Sequence, residues 1–499
     1  MLLVSWTCLV PVNAVQITEV MYNPPSEAKT SKEAKSSVET STKSNDTDYE
    51  FIELYNEKAD RLDLGQWQFT RGIKLQFSEG TIIEPRTYFL VAKNPEKLKQ
   101  WYAKSYDWVI EGPVFGPFQG SLNNRKDHLI LSDPAGGSIV DFAYSDRGQW
   151  PMAADGTGHT LAKISPRLHP NRAENWRSST NMGGTPGKAN GPSHLHQNKH
   201  DLASVVINEI AIFPDHKDRR KPSPISIEIY NPTANTVDIS GYWLSDNPTK
   251  LQKYQIPEGT QVSAGNHVVF NSDQLNFKLN LKNERLFFTS PSVSQVLDVC
   301  QFQRSSTESH LSWGRYPDGM SEWYVMPTSL KKANKVELNT NIVINEIMYH
   351  PTNSSAKSEY VELYNRGTED TDLSGWSITG GISFKFPKRT ALASDAYLVV
   401  AKNASWLCSQ YGLPVNKVIG NFKQTLSNSE DKIRLEDTLG NQVDQVHYYD
   451  GDHWPKSADG YGTSLELINP YQDNGNYQAW SGSDERDKAE WQYISYTRT

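Results

Sequence analysis

The sequence predicts an all-β protein built from three tandem antiparallel β-sandwiches. One series of motifs occurs three times in 499 residues, at a spacing that gives each copy enough chain to bury its own core. Runs of β-branched residues, such as 205–207 and 342–344, open the copies, and such runs are typical of strands. An aromatic content of 11%, with 32 Gly and 27 Pro, suits short strands joined by turns.

Three motifs define each copy, always in the same order. A strand containing a glutamate comes first, Glu-Leu-Tyr-Asn or Glu-Ile-Tyr-Asn follows, and an Asp then begins a Gly-containing turn before an aromatic residue. The motifs occupy 17–24, 53–56 and 63–67 in the first copy, 207–210, 228–231 and 238–243 in the second, and 344–351, 362–365 and 372–376 in the third. We expect the turn Asp residues (Asp63, Asp238 and Asp372) to form Asx turns that seat Trp67, Tyr242 and Trp376 in the core.

Further strands follow in each copy. The first and third copies contain 88–92 and 397–401, then 129–131 and 433–435, each leading through a Gly turn to a Val-Asp pair, Val140-Asp141 or Val443-Asp444. The pattern predicts only two short helices, at 95–103 and 405–411, in which Trp101 and Trp406 pack back on the sandwich.

These patterns give a domain map. We expect a signal peptide at 1–14, a first domain at 15–192 with a disordered Ser- and Lys-rich insert at 26–48, a linker at 193–203, a divergent second domain at 204–329, a linker at 330–341, a third domain at 342–482 and a C-terminal extension at 483–499. Within the extension, 490–497 has a strand pattern and is interpreted as the start of a truncated further domain.

Charge, hydropathy and cysteine content limit the partners and the location of the protein. The net charge of −8 argues against nucleic-acid binding driven by bulk charge. The apolar run near the N-terminus ends in Val12-Asn13-Ala14, as signal-peptidase sites do, although the first basic residue is Lys29; the alternative is a first β-strand. No later apolar run is long enough to span a membrane. Cys8 lies in the leader, and Cys300 and Cys408 fall in different copies, which does not indicate a disulfide scaffold.

The motifs together resemble the lamin tail domain family, in particular its bacterial, exported branch. Beyond the motifs above, the resemblance depends on Leu-Ser-Asn or Leu-Asn-Asn turns, on Trp-Pro-x-x-x-Asp-Gly at 150–156 and 454–460, and on Gly-Thr-Pro-Gly at 184–187. It implies an immunoglobulin-like sandwich for each copy. Bacterial members of the family occur beside secreted nucleases or kinase-like spore-coat domains, which implies a binding or positioning role. The second copy departs at Leu281-Lys282-Asn283 and at Tyr316-Pro317-Asp318-Gly319.

The recurring acids are the candidates for a site. They are Glu19 and Glu53, Glu209 and Glu228, and Glu346 and Glu362. Strict alternation along a strand would place Glu346 on one face with Ile344 and Met348. The two acids of a copy could converge on Ca²⁺, but Ca²⁺ prefers six to eight oxygens. We therefore favour a structural role, in which each carboxylate accepts backbone N–H bonds from a neighbouring loop or pairs with Arg or Lys.

The sandwich ends are the candidate contact surface. Binding sites concentrate on loops held by a rigid scaffold, which points to the Trp-Pro turns, with Trp150 and Asp155 in the first copy and Trp454 and Asp459 in the third. His194, His196 and His200 could bind Zn²⁺ but are more simply solvated linker residues. No catalytic motif is present in the sequence.

These observations lead to three functional hypotheses. The first is a secreted, non-enzymatic binding, adhesion or scaffold protein that requires no cofactor and recognises an extracellular protein or a cell-surface component. The second is the targeting half of an extracellular enzyme whose catalytic domain is missing from this chain. The third is a DNA-binding module, which fits the net charge of −8 poorly.

Overall fold

The computed structural model describes residues 15–25, 46–191, 205–213, 224–279, 284–302, 310–352, 356–451 and 453–483. It confirms an all-β protein of three immunoglobulin-like sandwiches. The chain forms two compact units, one comprising Met1–Trp323 with Thr328–Asn334 and the other Tyr324–Pro327 with Lys335–Thr499. The first two copies therefore belong to one unit, whereas the sequence predicted three independent domains.

The first copy consists of two facing sheets and a small ribbon. Its strands are β1 (Val15–Met21), β2 (Phe51–Asn56), β3 (Leu62–Asp63), β4 (Gln68–Arg71), β5 (Leu75–Gln76), β6 (Ile82–Ile83), β7 (Tyr88–Ala92), β8 (Val114–Phe115), β9 (Lys126–Ser132), β10 (Ser138–Ser145), β11 (Leu161–Lys163) and β12 (Trp176–Ser178). The sheet orders are β12-β11-β1-β2-β7-β8, β10-β9-β4-β5 and β3-β6. All pairs are antiparallel except β7 with β8.

The second copy repeats this plan. Its strands are β13 (Val206–Ile212), β14 (Ile225–Tyr230), β15 (Val237–Asp238), β16 (Trp243–Ser245), β17 (Tyr254–Gln255), β18 (Gln261–Val262), β19 (His267–Asn271), β20 (Glu284–Thr289), β21 (Val296–Phe302), β22 (Leu311–Arg315) and β23 (Trp323–Pro327). In the first unit, β19-β14-β13-β22 faces β17-β16-β20-β21.

The third copy follows the first more closely. Its strands are β24 (Ile342–Met348), β25 (Tyr360–Asn365), β26 (Thr371–Asp372), β27 (Ser377–Gly380), β28 (Phe384–Lys385), β29 (Ala391–Leu392), β30 (Tyr397–Ala401), β31 (Val418–Gly420), β32 (Glu430–Glu436), β33 (Gln442–Tyr449), β34 (Leu465–Leu467) and β35 (Trp480–Gly482). The large sheet is β31-β30-β25-β24-β34-β35, and β28-β27-β32-β33 faces it.

A β-bulge in the first strand of each copy decides which residues enter the core. In β24 the register against β25 shifts between Ile344 and Glu346. The extra residue interrupts the alternation, so that Ile344 and Ile347 both pack in the core of the third copy. The prediction that Glu346 shares the face of Ile344 was therefore wrong, because period-two reasoning assumes an unbroken strand. The same shift occurs between Ile17 and Glu19, and between Ile207 and Glu209.

The predicted helices are present. They are α1 (Pro95–Tyr106), capped by the Asn94 side chain, and α2 (Ala404–Tyr411), capped by Asn403. In the first copy, Trp101 and its neighbours on α1 cover the outer face of the large sheet and form a second small core there. Trp406 packs in the same way in the third copy. No helix among the described residues is long and apolar enough to cross a membrane.

The three Asx turns also form as predicted. The carboxylates of Asp63, Asp238 and Asp372 accept the N–H two residues later at 2.7, 2.8 and 2.8 Å. Trp67 and Trp376 are buried in their cores, and Tyr242 packs against the core of the second copy.

The predicted insert and leader lie mostly outside the described residues, which include neither 1–14 nor 26–45. The last residues of the predicted insert, by contrast, belong to a short 3₁₀ turn, Asp46–Tyr49. Tyr49 stacks on Trp101 with ring centroids 4.6 Å apart, and this contact holds the turn against α1.

Candidate functional site

The six recurring glutamates form three cross-strand pairs. Glu19 lies directly opposite Glu53, Glu209 opposite Glu228, and Glu346 opposite Glu362. Each pair sits just after the bulge, on the outer face of its large sheet. In the first two copies all four residues are fully buried, and two facing carboxylates in that position require hydrogen-bond donors.

In the first copy the donors come from the Gly-Thr-Pro-Gly loop. Thr185 N–H donates to both oxygens of Glu19, at 3.1 and 3.2 Å, and Gly187 N–H donates to Glu53 at 2.7 Å. The hydroxyl of Thr160 also donates to Glu19, and that of Thr18 donates to Glu53 at 2.7 Å. The loop therefore closes over the acid pair and ties the end of the domain to its first two strands.

The second copy is closed in the same way by a different sequence. Ser329 N–H donates to Glu209 at 2.9 Å, and Lys331 N–H donates to Glu228 at 2.5 Å. Asn334 completes this loop by donating to the carbonyl of Arg315 at 2.8 Å. The second copy therefore continues to Asn334, five residues past the predicted boundary at 329.

In the third copy the described donors are side chains. Tyr360 and Ser464 donate their hydroxyls to Glu346, each at 2.5 Å, and Asn345 donates to Glu362 at 3.1 Å. The position of a closing loop would follow Ser483, outside the residues that the structure describes.

Burial shifts the ionisation of these acids. It raises the pKa of Glu19 from 4.5 to about 7, against the lowering effect of the Thr160 and Thr185 bonds, and raises the pKa of Glu53 well above 4.5. Burial also raises the pKa of Glu228 to about 7. Desolvation therefore outweighs the donors.

In the first two copies the loop N–H groups bind the carboxylates, which is the structural role favoured from sequence. No group of three or more His, Cys, Asp or Glu side chains that could hold a metal ion occurs within the described part of the chain. Calcium binding by the acids remains a prediction that these contacts do not test.

The Trp-Pro turn of the first copy contacts the second copy. Trp150 packs at the rim of the first core, 6.3 Å from the ring of Trp176. Asp155 accepts a bond from the Asn23 side chain and forms a 2.7 Å ion pair with Arg285 of β20. This predicted contact residue is thus engaged inside the first unit.

His159, which sequence analysis did not single out, reinforces the same junction. Its Nε2 accepts the N–H of Val296 of β21 at 3.0 Å, so Nδ1 carries the proton and donates to the Ser179 carbonyl at 2.6 Å. Burial lowers the pKa of His159 to about 4, which keeps the ring neutral. Met182 N–H adds a bond of 3.0 Å to the Ser294 carbonyl. The only feature of the sequence that could have indicated this contact is a His three residues after the Asp-Gly turn.

The equivalent turn of the third copy has different partners. Asp459 pairs with Nδ1 of His350 at 2.6 Å, where His350 replaces Asn23. Trp454 is buried beside Trp480, with ring centroids 6.2 Å apart. Tyr461, two residues past Asp459, is 79% exposed, whereas its counterpart Thr157 is buried.

The other predicted candidates contribute no described site. His194, His196 and His200 lie outside the described residues. The Val-Asp pairs do not correspond as the sequence suggested. Asp444 of β33 accepts the N–H of Ile344 at 2.6 Å, but the residue in the same register of β10 is Val140. Asp141 instead meets His128 at 2.8 Å.

Comparison with known proteins agrees with this architecture. The family model described as Lamin Tail Domain matches residues 11–146, 198–311 and 336–450, which together make up more than half of the chain. Each match contains the acid pair of one copy. No curated protein matches the chain. The resemblance inferred from the motifs is confirmed: the chain belongs to the lamin tail domain family and carries three tandem copies of that domain.

Proposed function

We propose that this protein is exported and acts as a non-enzymatic binding or scaffold protein that recognises an extracellular protein or a component of the cell surface. The apolar leader at 1–14 supports export. The recurring acids support a non-enzymatic role in the first two copies, because loop N–H groups of the fold already occupy them. Rigid modules in series also strengthen weak contacts by raising effective concentration.

The observation that carries the proposal is the contrast between two equivalent turns. In the first copy, the turn holds the second copy through Asp155 and His159. In the third copy, Tyr461 follows the same turn directly and is 79% exposed. A turn that already serves as a protein-binding surface in one copy is suited to the same task in another.

A second exposed group lies at the opposite end of the large sheet, and its chemistry also favours a protein or glycan partner: Ile468 is 61% and Tyr471 68% exposed. Tyr397 is 44% exposed and stacks on Tyr364 with ring centroids 4.6 Å apart. Tyrosine combines a rigid apolar ring with a hydroxyl, and it is enriched where interfaces derive their binding energy.

A binding experiment with the full chain tests this proposal. Fluorescently labelled wild-type protein is incubated with host cells, and the retained fraction is compared with that of the double variant Tyr461→Ser/Tyr471→Ser. We expect retention to fall at least tenfold. Tyr411→Ser is the matched control, because Tyr411 is 53% exposed at the end of α2. Equal retention of all three folded proteins would exclude both exposed tyrosines of the third copy as contact residues.

The two other hypotheses make different predictions. A targeting role beside a catalytic domain predicts a native protein heavier than these 499 residues, which intact mass spectrometry would detect. DNA binding predicts duplex affinity that falls steeply with salt, because phosphate contacts release counterions. With a net charge of −8, we expect no salt-dependent duplex binding in a titration from 50 to 200 mM salt.

A further inference from the structure

The junction between the first two copies depends on a histidine whose two ring nitrogens have opposite roles. Nε2 of His159 accepts the N–H of Val296 at 3.0 Å, and Nδ1 donates to the carbonyl of Ser179 at 2.6 Å. Ser179 belongs to the first copy, whereas Val296 lies on β21, an edge strand of the second copy. His159 is fully buried between them. The ring therefore joins the two copies as one particular neutral tautomer.

Protonation of this ring is incompatible with the closed junction. An imidazolium ring carries a proton on both nitrogens and accepts no hydrogen bond. The proton on Nε2 would then face the N–H of Val296 across 3.0 Å, so that two donors would oppose each other. The buried charge would also lose its hydration. The charged ring becomes stable when it reaches water, which requires Val296 to move away from it.

The direction of the pH dependence follows from burial. Burial lowers the pKa of His159 from 6.5 to about 4, because the charged ring is poorly solvated at this site. A ring released to water regains the pKa of 6.5, so the open junction binds a proton that the closed junction does not bind. The closed junction is therefore favoured above pH 6.5. Its closing equilibrium weakens about tenfold for each pH unit between 6.5 and about 4.

Two further contacts connect the same surfaces. Asp155 pairs with Arg285 of β20 at 2.7 Å, and the N–H of Met182 donates to the carbonyl of Ser294 at 3.0 Å. The other titratable side chains near the turn are Asp146, Arg147 and Tyr22. Burial raises the pKa of Asp146, and the charge of Asp155 raises it further. A substitution of His159 leaves all these groups in place, so it isolates the contribution of the ring.

The buried acid pairs respond to acid in the opposite direction. Burial raises the pKa of Glu19 in the first copy and of Glu228 in the second to about 7. These acids therefore stabilise their copies increasingly as the pH falls from about 7 to 4.5. Mild acid thus strengthens the core of each copy while it weakens the contact between the copies. We propose that the junction of the first two copies is an acid-sensitive joint, which opens when His159 is protonated and leaves both copies folded.

Hydrogen exchange of the full chain at pH 7 and pH 5, followed by NMR, tests the proposal. The protection of an N–H is its intrinsic exchange rate at each pH divided by the observed rate. We expect the protection of Val296 to fall at least tenfold between these two values. The reference is the N–H of Ile229 in β14, a strand paired on both sides within the second copy. Its protection should not fall, because the copy itself stays folded.

Two glutamine variants assign the effect to one ring. His159→Gln offers an amide oxygen to Val296 and an N–H to Ser179, but it takes up no proton in this range. Its protection at Val296 should be the same at both pH values. His128→Gln is the matched control, because His128 lies in the same copy and pairs there with Asp141. This control should lose protection at Val296 as the wild type does.

The ionisation of His159 is measured in the wild type as well, because the glutamine variant can fold without forming the junction. Selective ¹⁵N labelling of histidine shows the protonation of each ring nitrogen, and the signals of His159 are those that His159→Gln lacks. We expect Nε2 to be unprotonated at pH 7 and to gain its proton as the protection of Val296 falls. If His159→Gln is unprotected at Val296 already at pH 7, this titration decides.

Four results would overturn the proposal: constant protection of Val296 in the wild type, an equal fall in His159→Gln, a parallel fall at Ile229, or protonation of His159 without loss of protection. The joint lies within the first unit, whereas the proposed contact surface belongs to the third copy. Cell retention of the tyrosine variant and the pH dependence of Val296 are therefore independent results.

Discussion

Replacing Glu19 by Gln should change how the stability of the first unit depends on pH. Glu19 is buried opposite Glu53 beneath the Gly-Thr-Pro-Gly loop. Because burial raises its pKa from 4.5 to about 7, the folded protein retains a proton that the unfolded chain releases between these two values. The stabilisation is complete below pH 4.5 and is lost as the pH rises to about 7. Gln resembles the protonated acid at every pH and lacks this dependence.

The size of the effect follows from the same two values. One pKa unit corresponds to ~1.4 kcal/mol, so the interval from 4.5 to about 7 sets an upper limit of about 3.5 kcal/mol for the change in free energy of unfolding. The facing carboxylate of Glu53 titrates in the same direction, because burial raises its pKa too. The wild type should therefore lose stability relative to Glu19→Gln as the pH rises.

Denaturant unfolding of the full chain at pH 4.5, 5.5, 6.5 and 7.5 measures this difference. The difference between wild type and variant removes the pH dependence that other groups contribute equally to both proteins, such as His159 and Lys163. Glu79→Gln, at an exposed turn of the same copy, is the matched control for the loss of a carboxylate. A Glu19→Gln difference that is flat, or that favours the wild type as the pH rises, would refute the assignment of a raised pKa to this pair.

Three further predictions concern the closing loop, the junction of the first two copies and the repeated asparagine. Gly184→Ala should destabilise the first unit by more than about 2 kcal/mol in denaturant unfolding, because a Cβ at this position, where φ is +68°, would collide with Glu19 Oε1. Gly136→Ala is the control and should cost less, because a Cβ there, at φ +88°, would meet open space. Equal losses of stability in the two variants would contradict the proposed collision. Arg285→Ala removes the partner of Asp155 and should speed hydrogen exchange of Val296 N–H, whereas unchanged exchange would show that this ion pair does not hold the copies together. Asn365→Ala should lower the free energy of unfolding of the second unit by about 2–4 kcal/mol, because this fully buried amide donates to the carbonyls of residues 369 and 392. A loss below about 0.5 kcal/mol would contradict that role.

Local sequence rules were sufficient where a residue type and its turn act together. Asp372 and Trp376 illustrate this, because an Asx turn needs only a carboxylate two residues before an N–H, and an aromatic ring just after it enters the core. The helix at Ala404–Tyr411 was similarly predictable from its Asn403 cap and apolar face. Repetition of such local signals in three copies made the fold predictable.

Features that depend on distant parts of the chain were not predictable from local rules. The bulge after Ile344 interrupts the alternation, and no residue type marks a bulge with certainty, so the face of Glu346 was assigned wrongly. Lys331 was placed in a linker because its Lys-rich surroundings are polar, whereas its backbone N–H closes over Glu228. Every residue except proline has a backbone N–H, so the residue type does not indicate which N–H binds a carboxylate.

The candidate site was predictable in part. The pairing of the acids and the structural alternative for them followed from their repetition and from the cost of burying a charge. The engagement of Asp155 by the second copy did not, because Arg285 lies 130 positions away and nothing in the sequence joins the two. The mismatch between Val140 and Asp444 became apparent only when the registers of their strands could be compared.

The most direct test of the proposed extracellular role is the location and intact mass of the native protein. The host culture is separated into medium, envelope and cytosol, and the recovered chain is weighed with both termini sequenced. We expect recovery from the medium or the cell surface, with an N-terminus near residue 15. Recovery from the cytosol alone, with Met1 still in place, would contradict export and with it the proposed extracellular partner.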